Sequence, residues 1–386
     1  MRALLSLPPL LLTLALTLPG CAWLRGDDNA TPPTELQDIE AKAELERLWQ
    51  RDIGAGTGGR FLRLQPVVDA GRIFAADHEG RIMALEAGTG KSVWTQETGL
   101  SVSGGVGSGD GLILVGSSEG RVLALDWRDG TEVWRARVSG EVLAPPQAAR
   151  GVTVVQSVDG DVTGLDSANG ERLWVFDRSV PALSLRGTAT PTLIEGFAVI
   201  GQDSGKLAAI ELERGLPAWE TAVSRPAGRS ELERMVDIDS PPRIMGGAIY
   251  TVTYQGHVAA LEGSNGNKVW DREMSSPVGL AVDFRYVYVT DQDSRVWALD
   301  RRNGSAVWQN ERLLHRQLTA PAALNDHVLV ADLEGYLHAL SRFDGAIVGR
   351  TRVTDEPVLS IPVVDDETVY VYASDGTLAA YKINRF

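Results

Sequence analysis

The sequence predicts an all-β protein, an eight-bladed β-propeller whose blades are four-stranded antiparallel sheets. Three observations predict this fold. A unit of about 42 residues recurs along the chain. A Trp occupies the same place in seven of its occurrences, and the first of them, Trp49, precedes the first complete copy. A length of 386 residues would also fit two or three domains, but repeats of this kind build a single ring.

The repeated unit is clearest at Gly80-Arg-Ile-Met-Ala-Leu-Glu, followed by Gly88-Thr-Gly-Lys-Ser-Val-Trp94. An apolar run predicts a buried strand, and an Asp-Gly or Glu-Gly pair predicts the hairpin turn after it. An alternating strand and a second turn then lead into the outer strand that carries Trp. A single sheet of this size must stack against its neighbours to bury its apolar faces. Copies of the unit begin at Gly80, Gly120, Gly160, Gly205, Gly256, Ser294, Gly335 and Gly376.

The Trp positions predict how the ring closes. Gly349 replaces Trp in the seventh copy, and the last copy has no Trp strand after it. The N-terminal strand, residues 45–51, is therefore expected to be the outer strand of the final blade, which would remove the open edge of the sheet. Seven blades is the alternative if one copy is degenerate. The seven repeated tryptophans are Trp49, Trp94, Trp134, Trp174, Trp219, Trp270 and Trp308.

The N-terminus reads as an export signal. Arg2 and the apolar run after it are typical of a signal peptide over residues 1–20, and the run is too short and Pro-broken to span a membrane. Leu18-Pro-Gly-Cys21 resembles a bacterial lipobox, which makes Cys21 the predicted lipidation site. An ordinary signal peptide with a chance Cys is the alternative. Residues 21–43 are predicted to be a flexible tether, with one or two helical turns from the spacing of Leu36, Ile39 and Ala43, and residues 44–386 to be the propeller.

Composition excludes several classes of function. A net charge of −14 argues against nucleic acid as a ligand. A single Cys cannot form an internal disulfide or a Cys-based zinc site. The five His show no paired metal-ligand spacing, and the chain lacks a G-x-S-x-G elbow and a P-loop. The sequence therefore predicts no enzyme: no catalytic residues, no cofactor and no metal.

Two longer connections interrupt the regular spacing, at residues 177–188 and 224–242. Both are predicted to leave an outer strand on the same face of the disc, where adjacent insertions indicate a binding surface. Leu183, Leu185 and Arg186 have the composition of an interface anchor with a charged rim. Asp237 and Asp239 would pair with Arg186 or with a cation of a partner. The alternative is that the leucines fill a gap at the blade edge.

The string Ala84-Leu-Glu-Ala-Gly-Thr-Gly-Lys-Ser-Val-Trp94 resembles the tryptophan-docking repeat of pyrroloquinoline-quinone-type propellers, over nearly all of residues 44–386. That repeat family includes dehydrogenases and non-enzymatic members. A periplasmic quinone-dependent dehydrogenase is thus the alternative function, but the adjacent Cys pair typical of those alcohol dehydrogenases is missing. A propeller that binds some other periplasmic ligand is a third reading.

The lipobox, the eight blades and the strings Leu183-Ser-Leu-Arg-Gly187 and Arg234-Met-Val-Asp-Ile-Asp239 together resemble the lipoprotein subunits of the outer-membrane β-barrel assembly (BAM) machinery. This resemblance implies a non-catalytic scaffold, anchored at the periplasmic face of the outer membrane. It implies binding to the POTRA domains of BamA through Leu183, Leu185, Arg186, Asp237 and Asp239, and assistance to unfolded outer-membrane proteins.

Overall fold

The strands of the computed structural model form eight four-stranded antiparallel sheets, in each of which neighbouring strands pair in order. The structure describes residues 31–178 and 180–385. Inner strands of successive sheets contact one another around a ring, and the predicted eight-bladed propeller is confirmed. The predicted signal peptide and Cys21 lie outside the described residues. Within the described chain, no helix could cross a membrane.

Blades 1 to 7 each use four consecutive strands, ordered from the axis outwards. Blades 1 to 4 contain β2 Val67–Asp69, β3 Arg72–Ala76, β4 Arg81–Glu86, β5 Ser92–Glu97, β6 Val102–Gly109, β7 Leu112–Ser117, β8 Arg121–Asp126, β9 Glu132–Arg137, β10 Gln147–Ala149, β11 Val152–Gln156, β12 Val162–Asp166, β13 Arg172–Phe176, β14 Thr192–Ile194, β15 Phe197–Gly201, β16 Lys206–Glu211 and β17 Pro217–Ala222. Blades 5 to 7 contain β18 Arg243–Met245, β19 Ala248–Val252, β20 His257–Glu262, β21 Lys268–Glu273, β22 Leu280–Val282, β23 Tyr286–Thr290, β24 Val296–Asp300, β25 Ala306–Asn310, β26 Ala322–Leu324, β27 His327–Ala331, β28 Tyr336–Ser341 and β29 Ile347–Arg352.

Blade 8 closes the ring with strands from both ends of the chain. Its first three strands are β30 Val363–Asp365, β31 Thr368–Tyr372 and β32 Thr377–Arg385, and its outer strand is β1 Ala43–Asp52. β1 pairs antiparallel with β32, from Ala43 opposite Arg385 to Asp52 opposite Thr377. The predicted closure by an N-terminal strand is confirmed.

Burial explains why the repeat has its pattern. Every residue of β7 is buried, because both faces of the second strand contact neighbouring blades. In the outer strand β9 only Trp134 is fully buried, and most of the other side chains face solvent. The apolar core consequently lies between blades, and not at one centre of the molecule.

Seven junctions between blades have the same construction. The repeated Trp of one blade donates its indole N–H to a backbone carbonyl of the next blade, as Trp49 does to Ala87 O at 2.8 Å. The ring packs on the Gly of the turn that follows. A Cβ at Gly90 would lie 2.6 Å from the Trp49 ring, and its φ of +65° also favours Gly. The other six donors are Trp94, Trp134, Trp174, Trp219, Trp270 and Trp308.

The eighth junction, from blade 7 to blade 8, differs because the turn that would receive a Trp is missing there. β32 ends and β1 begins at that place. Gly349 occupies the Trp position, and a Cβ on it would lie 2.8 Å from Ala43 O. The sequence irregularity at Gly349 is therefore a consequence of ring closure.

Residues 34–42, the end of the predicted tether, have an extended course along blades 6 and 7 and form no helix. Thr34 N donates to Leu314 O at 3.0 Å and Lys42 N donates to Val348 O at 2.8 Å. Leu36 and Ile39 pack against the core between these blades. The predicted helical turns are wrong because burying these two side chains against the blades outweighs a local helical preference too short to persist alone.

Candidate partner-binding site

The two long connections run from an outer strand to the inner strand of the next blade, β13 to β14 and β17 to β18. In an antiparallel meander such connections emerge on one face of the disc, together with the hairpins between second and third strands. We call residues 180–188 the Leu-Arg loop and residues 224–242 the Asp loop. They flank blade 4 and lie on that common face, as the sequence predicts.

The Leu-Arg loop presents apolar and cationic groups to solvent. Leu183 is 43% exposed, Leu185 is half-buried, and Arg186 is exposed. Arg186 Nη2 donates to Glu141 Oε1 at 2.7 Å. Glu141 belongs to the connection between β9 and β10, the inner strand of blade 3. In this structure Arg186 therefore pairs with Glu141 and not with either aspartate of the Asp loop.

Asp237 lies beneath the Leu-Arg loop and is only 1% exposed. Its Oδ2 accepts a hydrogen bond from Leu185 N–H. Its backbone carbonyl accepts another from Tyr254 N–H at 2.8 Å. A buried carboxylate bonded to the loop backbone restrains the segment between Leu183 and Arg186. Asp237 thus supports the exposed residues from below, instead of facing solvent as a partner contact.

Asp239 meets the same loop at Gly187. A Cβ on Gly187 would lie 2.5 Å from Asp239 Cγ, so no larger residue fits at that position without a shift. Asp239 is half-buried and lines the central cavity of the ring. Its Oδ1, like Oδ1 of Asp237, has no hydrogen-bond partner among the described residues.

Asp203, in the hairpin between β15 and β16, joins these two residues to form what we call the acidic cluster: Asp203, Asp237 and Asp239. Burial raises the pKa of Asp203 to about 7, with repulsion from Asp237 adding to the effect. Burial raises the pKa of Asp237 to about 6, opposed by the N–H groups of Leu185 and Val236. Burial, Asp237 and Asp203 raise the pKa of Asp239 to about 8, opposed by Arg63. Over residues 31–178 and 180–385, no His, Cys, Asp or Glu group is arranged to hold a metal ion.

Sequence reasoning missed two residues of this site, Glu141 and Asp203. Glu141 precedes Arg186 by 45 residues, close to one repeat, and both lie in equivalent connections of successive blades. Aligning the repeats would have brought them together. Asp203 gave no such signal, because an Asp in a hairpin turn is ordinary.

Comparison with known proteins bears on the ring as a whole. A family model described as outer membrane protein assembly factor BamB matches residues 38–103, 82–310 and 314–385. The chain belongs to the BamB family. The BamB of Pseudomonas aeruginosa is 52% identical over 373 residues, which cover 97% of this chain and 98% of that protein. The BamB of Escherichia coli is 34% identical over 379 residues, covering 95% and 96% respectively.

Solved structures agree with this family. The crystal structure of BamB from Moraxella catarrhalis has a TM-score of 0.80 at 26% identity, and the match covers 88% of this chain and 99% of that chain. A quinohemoprotein alcohol dehydrogenase from Comamonas testosteroni has a TM-score of 0.68 at 15% identity, covering 88% and 76%. At that identity the dehydrogenase shares the fold alone.

Proposed function

We propose that this protein is a non-catalytic scaffold of the outer-membrane β-barrel assembly machinery, which binds the POTRA domains of BamA and assists the insertion of β-barrel proteins. Membership of the BamB family supports the role in assembly. The observation that supports the contact itself is the Leu-Arg loop, whose exposed side chains are held from below by a buried carboxylate.

The geometry favours two different roles for the five predicted residues, contact with the partner and positioning of the loop. Leu183, Leu185 and Arg186 are the groups that can touch a partner, since they are exposed or half-buried on the disc face. Asp237 and Asp239 position the loop through Leu185 and Gly187. A loop ordered before binding loses less conformational entropy on association, which increases affinity.

Arg186 is suited to exchanging its partner on binding. Its side chain is 58% exposed and its ion pair with Glu141 is at the surface, so the pair itself contributes little stability. A carboxylate of BamA could replace or share Glu141 while the two leucines enter an apolar pocket. Central apolar anchors beside an Arg are frequent hot spots of protein interfaces.

A pull-down of BamA from solubilised membranes tests the contact. We expect Leu183→Ala and Arg186→Ala each to reduce recovery of BamA at least tenfold. Leu216→Ala and Arg214→Ala are matched controls: Leu216 is 51% exposed, and Arg214 pairs with Glu211, on the turn between β16 and β17 at the opposite face of the same blade. The controls should retain BamA. Equal recovery with all four variants would remove the Leu-Arg loop from the interface.

The proposed anchor is a lipid on Cys21 that holds the protein at the periplasmic face of the outer membrane. Mass spectrometry of the mature protein should find an acylated Cys21 at its N-terminus. Cys21→Ser should move the protein from the membrane fraction to the soluble periplasmic fraction. An unmodified Cys21 in the mature wild-type protein would leave an ordinary signal peptide as the explanation.

A further inference from the structure

The inner strands of the ring enclose a central cavity of about 950 Å³. Val, Ala, Pro and Ile side chains supply most of its wall. The charged residues that line it, within the part of the chain that the structure describes, are Arg63, Arg186, Arg243 and Asp239. A cavity of this size with apolar walls and a few polar groups is typical of a small-molecule site.

Two of the arginines reach the same short segment from different parts of the ring. Arg63, in the connection from blade 8 to blade 1, donates through Nη2 to Pro277 O at 2.9 Å. Arg243, at the start of β18, donates through Nε to Leu280 O at 3.4 Å. Pro277 lies in the connection from blade 5 to blade 6, and Leu280 is the first residue of β22, so both guanidinium groups are brought to one side of the cavity.

Within the described residues, neither guanidinium group forms an ion pair, although the charge of Asp239 acts on Arg63. The bonds to Pro277 O and Leu280 O are the only hydrogen bonds that the two side chains donate in that part of the chain. Burial lowers the pKa of Arg243, with no carboxylate opposing the effect. Burial also lowers the pKa of Arg63, and only Asp239 opposes it.

The charge of the cavity is opposite to that of the chain. The protein carries a net charge of −14, whereas the cavity wall has three Arg and one Asp. Burial, Asp237 and Asp203 raise the pKa of Asp239, which favours its neutral form, and Arg186 is occupied by Glu141. Arg63 and Arg243, which are both half-buried, consequently remain as cations whose free energy an anion would lower.

We propose that the central cavity binds a small organic carboxylate. Its anionic group lies between Arg63 and Arg243, where planar guanidinium groups suit a carboxylate, and its apolar body contacts the Val, Ala and Pro walls. Leu183, the apolar anchor of the proposed partner contact, does not line this cavity, although Arg186 does.

Three probes with one apolar body and different charges test the proposal: cyclohexanecarboxylate, cyclohexylmethanol and cyclohexylmethylamine. Isothermal titration calorimetry with the mature wild-type protein should show the carboxylate binding at least tenfold more tightly than the alcohol, and no binding of the amine. Equal binding of carboxylate and alcohol, or absence of carboxylate binding, would overturn the proposal.

Variants then locate the site. Arg243→Gln should weaken carboxylate binding at least tenfold, and Arg243→Lys, which keeps the charge but loses the fork, should weaken it less. Arg302→Gln is the matched control, since Arg302 is exposed and pairs only with Asp300 on a turn at the other face. If circular dichroism shows that Arg243→Gln fails to fold, Arg63→Gln replaces it. Unchanged affinity in the folded variant would contradict the assignment.

Discussion

Two buried groups of charged residues in this ring are built in opposite ways. The balanced cluster, Arg316, Asp332, Glu334 and His338, lies in blade 7 and its connection from blade 6. Arg316 Nε donates to Asp332 Oδ2 at 2.7 Å, and the ring Nε2 of His338 lies 2.9 Å from the same oxygen. The acidic cluster at blades 4 and 5 instead brings three carboxylates together, and the charge of Arg63 acts on Asp239.

The carboxyl pKa values shift in opposite directions in the two clusters. Burial alone would raise the pKa of Asp332, but hydrogen bonds from His338, Tyr336 N–H and Arg316 lower it overall. The pKa of each member of the acidic cluster is raised. The balanced cluster also holds the N-terminal segment, since Arg316 Nη1 donates to Thr34 O at 2.9 Å.

The two clusters differ in whether their buried charges are paired with charges of opposite sign. Paired charges hold the N-terminal segment against the ring through Thr34. Unbalanced carboxylates lie under the loop that we propose as the partner contact. Such departures from local stability are expected at functional sites more than at structural ones.

The largest expected effect comes from breaking the balanced cluster. Asp332→Ala would leave Arg316, whose side chain is 2% exposed, without its buried partner. Removing one member of a buried ion pair typically costs about 3–5 kcal/mol. Urea unfolding followed by circular dichroism should show a loss of this size. A loss below about 1 kcal/mol would mean that Glu334 alone can neutralise Arg316.

The next effect is expected from the acidic cluster, where the pKa of Asp239 is raised, whereas that of Asp332 in the balanced cluster is lowered. With its raised pKa, native Asp239 binds more protons than the unfolded chain between about pH 4 and pH 8, so stability falls as pH rises through this window. Asp239→Asn should reduce the fall in unfolding free energy between pH 5 and pH 8.5 by about 3–4 kcal/mol.

Asp355→Asn is the control for that measurement, because Asp355 is exposed and pairs at the surface with Arg352. Its pH dependence should match the wild type within about 0.5 kcal/mol. If Asp239→Asn also matches the wild type, the acidic cluster is not desolvated as the structure indicates.

The smallest effect is expected from the rim of the balanced cluster. Glu334 is 45% exposed and shares Arg316 with Asp332. Glu334→Gln keeps an acceptor for Arg316 and leaves Asp332 in place, so it should cost about 1 kcal/mol or less. Unfolding in urea checks this value, and a cost as large as that of Asp332→Ala would show that the two carboxylates act as one unit.

Much of the ring could be predicted because its information is local and repeated. The Gly turns and the seven repeated Trp predict eight blades. The position of Trp49, before the first complete copy, predicts how the ring closes. The candidate loops were also found as departures from a regular spacing. The depth of Asp237 was not predictable, since an Asp in a long connection is usually exposed and its burial depends on the hairpin and strands around it.

The sequence by itself determined the number of blades, the place of each outer strand and the two loops that interrupt the repeat, because hydrophobic periodicity and turn chemistry act over a few residues. Only the tertiary structure decided that Arg186 pairs with Glu141 and that Arg63 reaches Pro277, which is 214 residues away. It also decided that residues 34–42 dock on the blades. The contacts of Arg63 and of residues 34–42 form when the ring closes, since closure brings segments distant in sequence together, whereas the Arg186–Glu141 pair forms when adjacent blades stack.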